Sequence, residues 1–244
     1  MNKICLVTGG SRGIGKACIK EFAKNNYNVV INYVNDSVSA NNLKEEVEKE
    51  YGIKALTIKC DVSNSNEVKE MVEEVINTFG KIDVLVNNAS IAIDTIFDDK
   101  TYDNFMRILS VNLVGTFIVS KEVGKYMLKE KQGSIINISS TNGIDTPYPE
   151  GLDYDASKAG VISLTKNLAT TYSPYIRVNS VAPGWVLTDM NKNLDKEFIK
   201  EEEDKILLGR FAHASEIAKV VYFLSGDDAS YINGSIIKVD GGSK

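Results

Sequence analysis

The chain has 244 residues, 43% of them hydrophobic and 25% charged, which is typical of a soluble globular protein with a sizeable core. With 28 Lys and Arg against 33 Asp and Glu, the net charge is -5, and no basic block argues for nucleic acid or an anionic membrane as a partner. The three cysteines show no Cys-x-x-Cys spacing and the chain has one histidine, so no metal site is expected.

The chain enters a predicted strand within four residues and contains no apolar run of membrane-spanning length. We therefore expect neither a signal peptide nor a transmembrane helix. The cysteines Cys5 and Cys60 fall in or at the end of predicted strands, as reduced core cysteines do. A cytoplasmic location is expected.

The first β-α-β unit contains a glycine-rich turn. A short apolar run at Ile4–Val7 predicts a buried strand, and residues 16–25 have the apolar spacing of a helix that packs on a sheet. Between them lies Thr-Gly-Gly-Ser-Arg-Gly-Ile-Gly, residues 8–15, and a second strand follows over 27–33. Glycines in such a turn let backbone N–H groups approach a pyrophosphate, although similar turns also serve plain packing.

The same alternation of strand and helix continues to the end of the chain. Strands are predicted over 54–59, 82–87, 134–138, 177–182 and 235–239, and helices over 37–51, 66–79, 102–129, 155–170 and 216–224. Such alternation predicts the α/β class. We expect residues 1–244 to form a single domain, a doubly wound parallel sheet of about seven strands with helices on both faces.

The longest departure from this alternation is the segment 183–214, which follows a predicted strand. Loops in that position line the ligand crevice of doubly wound sheets. We interpret the segment as a substrate lid, and the alternative is a solvated excursion.

Polar residues follow the third and fourth predicted strands. Asp61 is placed to accept a hydrogen bond from an adenine amino group, and Asn88 and Ala89 lie beside the same crevice, although Asp and Asn at strand ends also cap loops. No carboxylate occurs beside Tyr33 at the end of the second strand, where one would repel a 2′-phosphate. Together with Arg12 this favours NADP(H) over NAD(H), unless Arg12 is merely a solvent-facing residue at the helix start.

Tyr154 and Lys158 are four residues apart at the start of a predicted helix and so share one face. A nearby ammonium favours the phenolate, which lowers the phenol pKa and suits the pair to proton transfer. About one such spacing is expected by chance in this chain, so the pair alone decides nothing.

The order of these features along the chain resembles the short-chain dehydrogenase/reductase family. Its Thr-Gly-x-x-x-Gly-x-Gly motif is similar to the turn at residues 8–15, and Asn-Asn-Ala at 87–89, Asn112, Ser-Ser at 139–140, Tyr154 with Lys158, and Pro-Gly at 183–184 follow in the family's order. The likeness runs from Ile4 to Gly242. It implies a Rossmann-type fold and an NAD(P)-dependent oxidoreductase.

The resemblance also implies a role for each matching residue. Tyr154 would protonate a carbonyl oxygen, Lys158 would lower its pKa and hold the nicotinamide ribose, Ser140 would orient the substrate carbonyl in preference to Ser139, and Asn112 would anchor a water of a proton relay. Val186 and Thr188 would contact the carboxamide end. The complete implied cofactor set is Gly9, Ser11, Arg12, Gly13, Ile14, Gly15, Tyr33, Asp61, Val62, Asn88, Ala89, Tyr154, Lys158, Pro183, Gly184, Val186 and Thr188.

The sequence departs from the family pattern at three places. Ser140 and Tyr154 are separated by one residue more than the pattern has, Ser90 stands in place of a glycine, and Pro174 stands where an arginine is frequent. Ser90 either shifts its turn or adds a polar contact there.

Within the family, segments 30–33, 158–162, 208–211 and 239–242 are similar to those of 3-oxoacyl-[acyl-carrier-protein] reductases. This implies NADPH-dependent reduction of a ketone, either a small molecule or an acyl-carrier-linked 3-oxoacyl thioester, by a homotetramer. Lys131 matches one basic carrier-docking position. The alternatives are a sugar or secondary-alcohol dehydrogenase, indicated by the altered segment 145–152, and a non-catalytic NADP-sensing protein.

Overall fold

A computed structural model describes residues 2–188 and 194–242. Seven parallel strands form one sheet in the order β3-β2-β1-β4-β5-β6-β9. They are β1 (Ile4–Val7), β2 (Asn28–Tyr33), β3 (Ala55–Lys59), β4 (Val84–Asn87), β5 (Gly133–Ile138), β6 (Ile176–Pro183) and β9 (Ile236–Val239). Two short strands, β7 (Val186–Leu187) and β8 (Ala212–His213), pair separately in parallel.

Eight α-helices connect or follow these strands within the described residues. They are α1 (Gly13–Lys24), α2 (Ser37–Tyr51), α3 (Ser65–Phe79), α4 (Tyr102–Leu109), α5 (Thr116–Glu130), α6 (Leu152–Tyr172), α7 (Lys196–Lys205) and α8 (Ala214–Ser225). None of them is both long and apolar enough to cross a bilayer.

The sheet is buried on both faces because its strands carry apolar residues at successive positions. In β1, Cys5 and Val7 pack into the cluster that contains residues of α1, α2 and α8. Ile4 and Leu6 point the other way, into the cluster formed with α3, α5 and α6. The predicted doubly wound parallel sheet of seven strands is confirmed.

The strand order reverses next to β1, which lies between β2 and β4. Ligands of doubly wound sheets bind outside the carboxyl ends of the strands at this reversal. The loops after β1 and β4 meet there, because the backbone N–H of Asn88 donates to the Thr8 hydroxyl at 3.0 Å.

The structure corrects several predicted boundaries. The helix predicted over 102–129 is interrupted by a π-helical turn at Ser110–Gly115, and such turns frequently mark functional sites. Helix α6 begins at Leu152 rather than at residue 155. The segment 183–214 contains α7, β7 and β8, none of which the sequence pattern predicted.

Candidate active site

The glycine-rich turn is shaped by close backbone contacts. Gly9 and Gly13 adopt positive φ angles of 60° and 54°, which favour glycine. A Cβ on Gly15 would lie 2.3 Å from the Gly9 carbonyl oxygen. The N-cap residue of α1, Arg12, makes no side-chain cap, so the N–H groups of the first turn point to a crevice suited to phosphate.

Asn88 holds this turn against the end of β4. Its side-chain amide donates to the carbonyl oxygens of Thr8 and Gly9, both at 3.0 Å, while the Ala89 N–H donates to the Thr8 hydroxyl at 3.1 Å. Both residues therefore shape the crevice wall. The Ser90 hydroxyl is buried and has no hydrogen-bond partner within residues 2–188 and 194–242, so this serine brings an unused polar atom to the wall.

The residues predicted for the adenosine end lie at the ends of β2 and β3. Asp61 accepts hydrogen bonds from the Ser63 N–H at 2.9 Å and hydroxyl at 2.6 Å, and Arg107 approaches its other oxygen at 3.3 Å. Burial opposes ionisation, but these partners hold the pKa of Asp61 below its usual value. The Val62 side chain is buried, which leaves its main chain for a ligand.

Arg12 is exposed at the start of α1, near the carboxylate of Asp36. Asp36 caps α2 by accepting the Ser39 N–H at 2.9 Å. Hydrogen bonds from Ser39 and the charge of Arg12 together keep the pKa of Asp36 below its usual value. The carboxylate after β2 is thus used in capping, and Tyr33 itself is half-buried at the strand end.

Three predicted catalytic side chains converge at the carboxyl end of β5. Tyr154, on the first turn of α6, lies close enough to the Ser140 hydroxyl to interact with it. That hydroxyl is held by Asn142, donating to its Oδ1 and accepting its N–H, both at 3.2 Å. Lys158 lies one turn further along, with its Nζ 5.3 Å from the Tyr154 ring centroid and donating to the Ile138 carbonyl at 2.9 Å. The Ser139 hydroxyl turns away, to within 2.7 Å of the Ser180 hydroxyl.

Burial dominates the protonation of this pair. It raises the pKa of Tyr154 to about 12, with the nearby Ser140 hydroxyl opposing the shift and Asp155 and Asp94 adding to it. It lowers the pKa of Lys158 to about 7. In the protein alone, desolvation disfavours both charged forms and so dominates both shifts. The expectation that Lys158 lowers the phenol pKa stays a prediction.

Asn112 lies in the π-helical turn and its side chain is fully hydrogen-bonded. Its Oδ1 accepts the Ile91 N–H at 2.9 Å, and its Nδ2 donates to the Ile91 carbonyl at 2.9 Å and to the Ser157 hydroxyl at 3.0 Å. Ser157 in turn donates to the Tyr154 carbonyl at 2.6 Å. Asn112 therefore ties the loop after β4 to the catalytic helix, and its role in a water relay stays a prediction.

The residues after β6 face the glycine turn from the other side. A Cβ on Gly13 would lie 3.5 Å from the Thr188 side chain, and the Gly184 N–H donates to Val239 at 3.1 Å. The Val186 side chain is buried in the core, so only its main chain can reach a carboxamide. Residues 189–193 of the expected lid lie outside the described residues.

The rest of the expected lid packs through aromatic rings. Trp185 stacks on Phe211 with ring centroids 5.4 Å apart and meets Phe198 of α7 edge-on at 5.6 Å. Its indole N–H also donates to Glu202 at 2.8 Å.

Two features of the site have no counterpart in the sequence motifs. Lys100 and Asp153 form an ion pair at 2.8 Å whose side chains are 6% and 0% exposed, and the rim carries Asp94, Glu150 and Asp155. Burial and these acidic neighbours raise the pKa of Asp94, while Lys100 opposes the shift. Lys100 and Asp94 lie at least 50 residues from the acidic residues of 150–155 that they approach, so no short sequence motif could reveal these contacts.

Comparison with known proteins agrees with this geometry. A family model described as enoyl-(acyl carrier protein) reductase matches residues 9–244. The 3-oxoacyl-[acyl-carrier-protein] reductase FabG of Staphylococcus epidermidis is 40% identical over 243 residues, 99% of each chain. The chain belongs to the short-chain dehydrogenase/reductase family. As a member of that family it is an oxidoreductase.

Further proteins are similar over nearly their full length. The FabG protein of Thermotoga maritima is 39% identical over 98% of this chain and 97% of its own. A solved structure of a mutant Serratia marcescens short-chain dehydrogenase/reductase has a TM-score of 0.92 at 33% identity, covering 98% of this chain and 97% of that one. Acetoin dehydrogenase YohF from Salmonella typhimurium has a TM-score of 0.90 at 34% identity, covering 100% and 96%.

Proposed function

We propose that the protein is an NADPH-dependent reductase of ketones, with a 3-oxoacyl thioester as its substrate. The observation that carries the proposal is the convergence of Ser140, Tyr154 and Lys158 beside the glycine-rich crevice. The similarity to 3-oxoacyl-[acyl-carrier-protein] reductases over 99% of the chain supports the choice of a 3-oxoacyl thioester as the substrate.

Each of the three side chains has a role in this reaction. Tyr154, whose pKa is about 12, is protonated at neutral pH and donates its proton to the carbonyl oxygen. Ser140 orients that oxygen and stabilises the charge that develops on it. Lys158, when its amine carries a proton, stabilises the phenolate left behind.

The crevice fits a nicotinamide dinucleotide, which supplies the hydride when bound. The positive φ of Gly9 and Gly13 and the close approach of Gly15 to the Gly9 carbonyl support a turn whose backbone can bind a pyrophosphate at the start of α1. We assign its binding to the full predicted set, with Val62 and Val186 acting through their main chains. Arg12 and the absence of a carboxylate at Tyr33 support NADP(H) over NAD(H).

The same proposal extends to organisation and partners. Residues 1–244 act as one cytoplasmic domain, four copies of which form a homotetramer. The substrate arrives on an acyl carrier protein, and Lys131, exposed at the end of α5 with its ammonium 5.7 Å from the Tyr175 ring centroid, offers it a positive contact.

The test is NADPH oxidation with a short 3-oxoacyl thioester, followed by absorbance at 340 nm. Tyr154→Phe should lower turnover by about 10²- to 10⁴-fold and leave the dissociation constant of NADPH unchanged. A fully active Tyr154→Phe variant would contradict the assignment. Tight NADPH binding without reduction of any ketone would instead favour a cofactor-sensing protein.

The acidic rim favours a second candidate, a secondary-alcohol or sugar dehydrogenase. Asp94 and Asp155 act electrostatically on Tyr154, and Glu150 acts on Asp94. Carboxylates near the phenol repel an acidic carrier protein, whereas they accept hydrogen bonds from hydroxyl groups. The acetoin dehydrogenase from Salmonella typhimurium has the same fold. A substrate panel run in both directions with both cofactors separates the candidates by their kcat/KM values.

A further inference from the structure

A buried ion pair joins the loop after β4 to the first turn of α6. We call residues 90–100 the β4–α4 loop. The Lys100 ammonium lies 2.8 Å from Asp153 Oδ1 and also donates to the Ile93 carbonyl within the loop at 2.7 Å. Within residues 2–188 and 194–242, the second carboxylate oxygen of Asp153 is buried without a hydrogen-bond partner.

Stability alone does not explain this pair. Removing two charges from water costs about as much as their attraction returns, and apolar side chains of similar size often serve equally well. The unused oxygen of Asp153 makes the balance less favourable still, because a buried polar atom without a partner is destabilising. A buried ion pair does fix geometry, since an ammonium and a carboxylate hold each other at one distance.

The geometry fixed here is that of Tyr154. The same Oδ1 of Asp153 that meets Lys100 accepts the Tyr154 N–H at 3.0 Å. On the other side of Tyr154, its carbonyl is held by Ser157, which is bonded to Asn112 and so to Ile91 of the loop. The β4–α4 loop is therefore fastened to the main chain on both sides of the acid/base residue.

A third contact lies between these two. The Thr95 N–H of the loop donates to the Glu150 carbonyl at 3.1 Å, just before α6 begins. The loop thus runs alongside the start of α6 and forms one wall of the approach to Tyr154. If the loop were released, the wall that it forms would no longer be held at a fixed distance from the Tyr154 phenol.

We propose that Lys100 and Asp153 are a positioning pair, which holds the β4–α4 loop at a fixed distance from Tyr154 and so orients the ketone for proton transfer. Neither side chain is placed on a reacting atom. This inference rests on the proposed reductase function, and it adds two residues to the determinants of substrate binding.

The experiment compares two variants that replace the Asp153 carboxylate with a neutral amide. Asp153→Asn keeps an acceptor for Lys100 and for the Tyr154 N–H, and Lys100→Met/Asp153→Asn removes the contact entirely. Lys69→Met, which removes an exposed ion pair of α3 with 65% of the lysine side chain accessible, is the matched control. The substrate is the acetoacetyl thioester of N-acetylcysteamine with NADPH.

For the double variant we expect a higher KM for the thioester and a loss of about 10- to 100-fold in kcat/KM. The dissociation constant of NADPH should stay within about twofold, and hydrogen exchange should accelerate at the amides of residues 91–95. Asp153→Asn should retain most of the wild-type KM, and Lys69→Met should behave as wild type in every readout.

A folded double variant with wild-type KM, kcat/KM and hydrogen exchange overturns the proposal. So does an equal loss of NADPH binding and thioester binding, because that reports general damage. Should the double variant not fold, Lys100→Gln/Asp153→Asn, which keeps a donor at position 100, takes its place under the same criteria. If the wild-type protein reduces no ketone, the proposed reductase function is rejected. Hydrogen exchange then still tests the positioning role of Lys100 and Asp153. Unchanged exchange at residues 91–95 of the double variant would reject that role, and faster exchange would support it.

Discussion

Ser139 and Ser140 follow β5 side by side, yet their hydroxyls have different partners. The Ser140 hydroxyl bonds Asn142 at 3.2 Å and lies near the Tyr154 phenol, whereas the Ser139 hydroxyl is buried against that of Ser180 at 2.7 Å. We expect Ser140→Ala to lower kcat by about 10²-fold, because it removes a donor aimed at the developing charge. Ser139→Ala should lower the free energy of unfolding by about 1 kcal/mol and retain most activity. If steady-state assays instead showed that Ser139→Ala loses activity and Ser140→Ala retains it, Ser139 would be the serine that contacts the substrate.

Lys158 is buried and donates to the Ile138 carbonyl, and its pKa of about 7 lies well below that of an unfolded lysine. Between pH 7 and 10 the unfolded chain therefore binds one more proton here than the folded chain, so this lysine makes the wild type more stable as pH rises. Without cofactor, Lys158→Met should be more stable than wild type at pH 7.

The excess free energy of unfolding of Lys158→Met over wild type should shrink by up to about 1.4 kcal/mol for each pH unit up to 10. Urea unfolding at pH 7, 8 and 9 measures it, and the exposed Lys69→Met variant should show no such trend. A stability difference that is independent of pH would mean that Lys158 keeps its charge in the folded protein.

Spacing could predict Tyr154 and Lys158, because residues four apart on a helix must share a face. It could not predict the protonation of the pair, which depends on burial that only the folded chain creates. Nor could it find Lys100 and Asp153, which lie in different elements and meet only through the course of the β4–α4 loop. Spacing along the chain therefore predicts neighbours on one helix, whereas burial and contacts between elements depend on the folded structure.

At the scale of elements, the strand–turn–helix unit depends on contacts between backbones. A Cβ on Gly15 would lie 2.3 Å from the Gly9 carbonyl oxygen and 2.6 Å from the Asn88 amide nitrogen, so Gly15→Ala must displace the turn. We expect NADPH affinity to fall by about tenfold or more. Gly226→Ala is the matched control, because Gly226 has a negative φ of -86° and its Cβ would come no closer than 3.6 Å to the atoms around it. Fluorescence titration should show normal NADPH binding for Gly226→Ala and weak binding for Gly15→Ala.

Element prediction succeeded where hydrophobic periodicity was strong and failed where tertiary contacts decide. Helix α2 was predicted at its observed bounds of Ser37–Tyr51. The structure adds that Asp36 caps its start and Gly52 ends it. The π-helical turn around Asn112 escaped prediction, because an inserted residue leaves the apolar spacing of a long helix nearly intact. Helix α7 was missed because its pattern is dominated by charge, and its aromatic contact with Trp185 joins distant residues.

At the scale of the whole molecule, the helices on the two faces of the sheet carry different parts of the candidate site. The face covered by α1, α2 and α8 includes the helix that begins at the phosphate crevice. The opposite face, covered by α3, α5 and α6, includes the helix that carries Tyr154 and Lys158. The topology thus places the proposed cofactor crevice and the proposed acid/base residues at the same edge of the sheet, outside the carboxyl ends of the strands.

The outer side of α5 and the turn before it bear on assembly. Val114 and Phe117 are 44% and 43% exposed, one helical turn apart, and Lys121 lies 5.8 Å from the Phe117 ring centroid. Exposed apolar side chains grouped on one helix face are typical of subunit contacts, and a two-fold contact presents the same patch on both subunits. We therefore expect Phe117→Glu to place two carboxylates against each other across such an axis and split the assembly.

Sedimentation velocity decides this prediction. The wild type should sediment as four chains of 26.8 kDa, and Phe117→Glu as dimers or monomers. Val38→Glu, which changes a 68% exposed residue of α2, is the matched control and should leave the assembly intact. A tetramer that survives Phe117→Glu would place the subunit contacts on another face, and a monomeric wild type would contradict the proposed homotetramer itself.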